Sequence, residues 1–66
     1  MLNEINYYES LIEQMQQSLN ALEAQYEASL AAGAEFQQLQ SIANIIKYGT
    51  QGMNEMLRYY YFLMGL

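Results

Sequence analysis

The side chains best suited to chemistry in this 66-residue sequence are seven glutamates and seven tyrosines. Glu9 with Glu13, and Glu23 with Glu27, have the i,i+4 spacing that places two carboxylates on one helix face. Enclosed in a cleft, such a pair could share a proton, or hold a hard cation through oxygen ligands. Nothing in the sequence suggests such a cleft around them, so both pairs read as a solvated helix face. With no histidine or cysteine, the commonest general base and the strongest nucleophile are both missing, and so are the usual zinc ligands. No calcium-loop pattern with its central glycine occurs. The expectation is a chain that is not an enzyme, with no catalytic residue, no cofactor and no metal.

The balance of residues narrows the classes further. The net charge is −5, and Lys47 and Arg58 are the only cations. A chain without a basic patch cannot neutralise phosphates, which argues against nucleic acid and against anionic membrane surfaces. The apolar run Tyr59 to Leu66 is far short of the roughly 20 residues of a membrane span. The first residues lack the basic start and apolar stretch of a secretory signal, so a cytoplasmic location is expected. A hydrophobic fraction of 53%, with aromatics and five methionines, argues against disorder. A chain of this size buries only about 60% of its unfolded surface and usually needs a disulfide, a metal or a partner. Only the partner remains.

Those side chains must be carried by helices. The sequence has no proline and no valine and is rich in Glu, Gln, Leu, Ala and Met. Ile5, Tyr8, Ile12, Met15, Leu19, Leu22 and Tyr26 recur at alternating steps of three and four, an a/d heptad seam. Asn3 reads as an N-cap, with Leu2 and Tyr7 as a hydrophobic staple. The seam loses its apolar character at Ser29 and Gly33, and Gly33 can close a helix in the left-handed conformation. The expectation is an all-α chain of one domain over residues 1–66. It is an antiparallel, coiled-coil-like two-helix hairpin, with helix 1 at about 3–31, a turn at about 32–35 and helix 2 at about 36–64. One unbroken rod is the competing reading.

Helix 2 carries two apolar stripes. One is Leu39, Ala43, Ile46, Thr50, Met53, Leu57, Tyr60 and Met64; the other is Ile42, Ile45, Gly49, Gly52, Met56, Tyr59 and Leu63. Together they cover about half the helix circumference, enough for two neighbours. Each of Gly49 and Gly52 costs about 1 kcal/mol in a helix interior, so a kink or break between them is one expectation. Close approach of another helix is the other. Folding about Gly33 or Ala34 pairs residues whose numbers sum to about 67, which sets Arg58 near Glu9 and Lys47 within a turn of Glu23.

The charge is uneven: residues 1–33 hold five glutamates and no cation, whereas residues 34–66 are neutral. The densest apolar segment is the C-terminal one, where Tyr59-Tyr60-Tyr61-Phe62 follows a methionine-rich turn. Tyrosine and methionine are favoured at protein interfaces. A two-helix hairpin cannot cover all of them. Ile42, Ile45, Met53, Met56, Tyr59, Tyr60, Phe62 and Leu63 are therefore the candidate partner-interface residues, with Met53 and Tyr60 shared with the intramolecular seam.

The stretch Gly33-Ala34-Glu35-Phe36-Gln37-Gln38 and the end Asn54-Glu55-Met56-Leu57-Arg58-Tyr59-Tyr60-Tyr61 resemble a known family. It is that of the small E-type needle chaperones of bacterial type III secretion systems (the YscE, PscE and SsaE kind). That resemblance implies a helical hairpin bound to a TPR-like G-type chaperone, the two together keeping a needle subunit unpolymerised in the cytoplasm. Two other readings stand beside it: a homo-oligomeric helical bundle, and a small acidic phage-type inhibitor of a basic site.

Overall fold

A computed structural model describes residues 2–66. They form two long α-helices, α1 (Leu2–Ala31) and α2 (Phe36–Met64), packed antiparallel as a hairpin measuring 48 × 15 × 14 Å. Neither helix contains a residue that would stop it, and helices of about 30 residues span about 45 Å at 1.5 Å per residue.

The turn is built by Gly33. Its φ of 78° lies in the left-handed region, where a side chain would be strained. The Ala34 amide then donates to the Ser29 carbonyl and the Gly33 amide to the Leu30 carbonyl, at 3.0 and 3.1 Å. This is a Schellman ending, which satisfies carbonyls that the helix terminus would leave without donors. Gly65 repeats the device at the end of α2, with φ 78° and amides of Gly65 and Leu66 donating to Phe62 and Tyr61. Glu35 enters α2 in an extended conformation without a side-chain cap.

Two local expectations fail. Asn3 lies inside α1 and cannot be its N-cap, and Leu2 and Tyr7 are both exposed instead of closing a staple. Helix α2 runs without interruption through Gly49 and Gly52, so there is no break. Packing accounts for the first of these glycines. A Cβ on Gly49 would lie 2.9 Å from Leu19 Cδ2, so glycine lets the most buried side chain of α1 rest against the α2 backbone. The helix that approaches closely there is α1 itself.

On α1 the buried and half-buried apolar positions are Ile5, Tyr8, Ile12, Met15, Leu19, Leu22 and Tyr26, with Leu11 beside them. On α2 the seam takes alternate members of both apolar stripes: Leu39, Ile42, Ile46, Gly49, Met53, Met56, Tyr60 and Leu63. These positions again alternate by three and four, as packing against a heptad seam requires. Ala43 and Met64, assigned by their spacing to the inner stripe, are exposed, and Thr50 and Leu57 sit at its edge. The register is set by Gly49 over Leu19, Gly52 over Met15 and Tyr59 against Tyr8, pairs whose numbers each sum to about 67.

The resulting core is thin. Among the described residues only Leu19, Ile42 and Met53 are buried, at 5%, 7% and 9% exposure. The radius of gyration is 15.0 Å, against roughly 11 Å for a compact domain of this length. The accessible surface is 5057 Å², against roughly 4,300 Å² for a folded monomer of this mass.

Candidate protein-docking face

The seam divides the hairpin into two flanks of different character. With Ile5, Ile12, Leu19 and Tyr26 as one seam row of α1, Glu9 and Glu23 fall seven-residue steps apart on one flank, and Glu13 and Glu27 just outside them. The opposite flank of α1 carries the row Glu4, Leu11, Ser18 and Gln25. Facing that row across the hairpin is the α2 row Ile45, Gly52, Tyr59 and Leu66.

These two rows bound an open groove of about 280 Å³. Leu11, Gln14, Met15, Ser18, Leu19 and Leu22 line its α1 side, and Ile45 and Gly49 its α2 side. Gly49 forms part of the floor because it has no side chain. Gly52 lies just beyond the groove, where a Cβ would meet Met15 Cε at ordinary contact distance, 4.0 Å. No charged residue lines the groove. Ile45 stands on the rim, 54% exposed, and Tyr48 beyond it is exposed as well.

Toward the chain ends the same flank becomes aromatic. Tyr7 meets Tyr8 edge-on at 5.4 Å between ring centroids, Tyr8 meets Tyr59 edge-on at 5.0 Å, and Tyr59 stacks on Phe62 at 6.3 Å. Such contacts contribute about 0.5–1.5 kcal/mol each beyond their buried area. Tyr59 Oη donates to Glu4 Oε1 at 3.1 Å, so the one carboxylate of this flank's α1 row is engaged. On the other flank Tyr60 Oη donates to Glu9 Oε2 at 3.4 Å. Tyrosines, not cations, reach these carboxylates. Arg58, expected beside Glu9, is exposed on the outer face of α2, as is Lys47.

These hydrogen bonds alter the phenols. The Glu4 carboxylate, first by accepting the hydrogen bond of the Tyr59 hydroxyl and then by its charge, raises that phenol above its ordinary pKa of 10.0. Removal from water, followed by the charge of Glu9, raises Tyr60. A raised folded-state pKa gives stability that is complete below the ordinary value and is lost as pH rises through the folded one. The aromatic end of the hairpin is therefore expected to loosen above pH 10. An alkaline titration followed by phenolate absorbance checks this: Tyr59→Phe and Tyr60→Phe should each remove one late-titrating phenol. If the curve keeps both late components, the two tyrosine–glutamate contacts are absent in solution.

The sequence-derived interface residues divide three ways. Ile42 and Met53 are buried between the helices and offer nothing to a partner, because the seam runs between the two stripes instead of along one. Met56, Tyr60 and Leu63 are half-buried edges of that seam. Ile45, Tyr59 and Phe62 are exposed, and all three lie on the groove flank or its aromatic extension. Sequence reasoning missed Leu11, Gln14 and Ser18 on the α1 wall of the groove, and assigned Met15, Leu19 and Leu22 to the seam alone. Leu11 was the available signal, an apolar residue standing one position outside an otherwise regular seam.

Among the described residues no group of three or more acidic side chains is placed to hold a metal ion, and no helix is long and apolar enough to cross a membrane. No protein-family model, no curated protein and no solved structure matches this chain.

Proposed function

We propose that the chain is a non-enzymatic co-chaperone, a helical hairpin that completes its core on the apolar surface of another protein. The observation that carries this reading is a disproportion. Among the described residues three apolar side chains are buried, whereas Tyr7, Ile45, Tyr48, Tyr59, Phe62 and other large apolar side chains stand exposed, several of them along one flank whose groove no charged residue lines. Contiguous apolar surface of this kind marks interaction sites in folded proteins. The carboxylates of Glu9, Glu13, Glu23 and Glu27 lie away from that flank and keep the opposite side hydrated.

The sequence resemblance gives the proposal its specific form. The partner is then a TPR-like G-type chaperone whose concave helical groove takes the flank. The pair holds a needle subunit in its unpolymerised state in the cytoplasm. Co-purification of the two chains from cells expressing both is the test, with the variant Ile45→Glu/Phe62→Glu as its control. Failure of the wild-type chain to retain such a partner would remove the needle-chaperone form of the reading.

A further inference from the structure

The chaperone reading concerns the hairpin with its partner; the same flank also has a consequence for the chain alone. We propose that, without a partner, two copies of this chain close groove to groove into a four-helix bundle.

Three observations favour a second copy as the occupant. The first is area. The hairpin exposes 5057 Å², roughly 700 Å² more than a folded monomer of its mass. A standard interface buries roughly 800 Å² per partner, so one face-to-face contact brings each chain to an ordinary surface. The second is charge. A chain of net charge −5 repels its own copy unless the contact excludes its carboxylates. Glu9, Glu13, Glu23 and Glu27 occupy the other side of α1; on the groove flank Glu4 is engaged by Tyr59, and Glu55, one heptad from both Tyr48 and Phe62, stands exposed at its outer edge on α2. Two copies meet here with fewer carboxylates opposed than on the side of Glu9, Glu13, Glu23 and Glu27, and with both flank carboxylates at the rim. The third is shape. The apolar flank extends along a 48 Å rod, and another rod of equal length covers it from end to end.

Gly52 sharpens the proposal. A Cβ there meets nothing closer than Met15 Cε at 4.0 Å, so the hairpin itself has room for alanine, which would favour the helix. Glycine at this point keeps the surface beside the groove low, where another chain can approach. The neighbouring rows Leu11–Ser18 and Ile45–Gly52 then receive the apolar rim of the second copy, with Ile45 entering near Gly52.

Sedimentation equilibrium on the full chain, across a wide concentration range and with helicity followed in parallel, tests this. The wild type should behave as a dimer of 7.7 kDa protomers. Gly52→Glu places a charge beside the groove, on the flank that the second copy would cover, while replacing glycine by a better helix former. It should raise the dissociation constant by roughly a hundredfold or more, because a buried charge would lack a partner. Ile45→Glu should act the same way, and Ala43→Lys on the opposite flank should leave the dimer intact. Loss of the dimer in both Gly52→Glu and Ile45→Glu supports the proposal, since Ile45 is exposed on the rim outside the hairpin seam; survival of the dimer in Ile45→Glu would count against it. A folded wild-type monomer, an unfolded or higher-order wild type, a dimer that survives Gly52→Glu, or one lost equally in Ala43→Lys would each overturn it. None of these results bears on retention of a G-type chaperone, which is measured separately, so the two readings fail independently.

Discussion

Leu19→Ala should unfold the isolated chain at room temperature, read as loss of helical circular dichroism and of any cooperative thermal transition. Leu19 is the most buried residue, at 5% exposure, and its Cδ2 rests where Gly49 leaves the α2 backbone bare. Truncating a buried leucine costs about 2–5 kcal/mol, the larger values where the surroundings cannot collapse into the space. Collapse is restricted here because the opposing position is a backbone with no side chain to move inward. A domain of this length has roughly 3–10 kcal/mol of stability in total, and one with three buried apolar residues falls near the lower end. The loss is therefore comparable to the whole. A cooperative transition retained within a few degrees of the wild type would show that the seam is not centred on Leu19 and Gly49.

Ile45→Glu combined with Phe62→Glu should abolish retention of a protein partner while leaving the hairpin seam intact. Both side chains are exposed, so neither substitution removes a contact of the buried core. In the complex each carboxylate would be taken from water without a cation to meet it, at a cost of about 3–5 kcal/mol for a fully buried unpaired charge. Affinity should fall by roughly a hundredfold or more, and the dissociation rate should account for most of the change. Co-purification followed by a titration of the reconstituted pair measures it. Retention at wild-type affinity would exclude this flank as the docking surface. Tyr59 and Leu63 are poorer positions for this test. Tyr59 ties α2 to Glu4, and Leu63 is half-buried in the seam, so charges there would disturb the hairpin as well as its surface.

Helix α1 was legible from spacing position by position, because polar residues surround a narrow apolar row and leave one way to bury it. The reversal at Gly33 was equally plain, since the seam fails where a residue tolerant of positive φ occurs. Helix α2 was ambiguous for the opposite reason. Its two stripes offer about half a circumference of apolar surface, and spacing alone does not say which strip faces α1. The fit of Leu19 against Gly49 decides it, and that fit is a matter of side-chain height across two elements, invisible along either one. The same decision moved Ile42 into the core and left Ile45 on the rim. The α1 wall of the groove was hidden because Ser18 and Gln14 are polar in type and act here by being small or peripheral. The expected ion pairs of Arg58 and Lys47 were drawn from register alone; rotation about the helix axis turns both cations outward.

That outward turn gives the molecule a built-in reporter of its own opening. Lys47 and Arg58 are the only basic residues in the sequence, and both lie well inside α2. The turn at 32–35 offers trypsin no cleavage site. The protease can act only when several residues of α2 leave the helix together, so the cutting rate follows the population of the opened state wherever reclosing is faster than cleavage. A docked partner or second copy that holds α2 closed will slow both cuts, and comparing the two rates shows which end of the helix it grips more firmly.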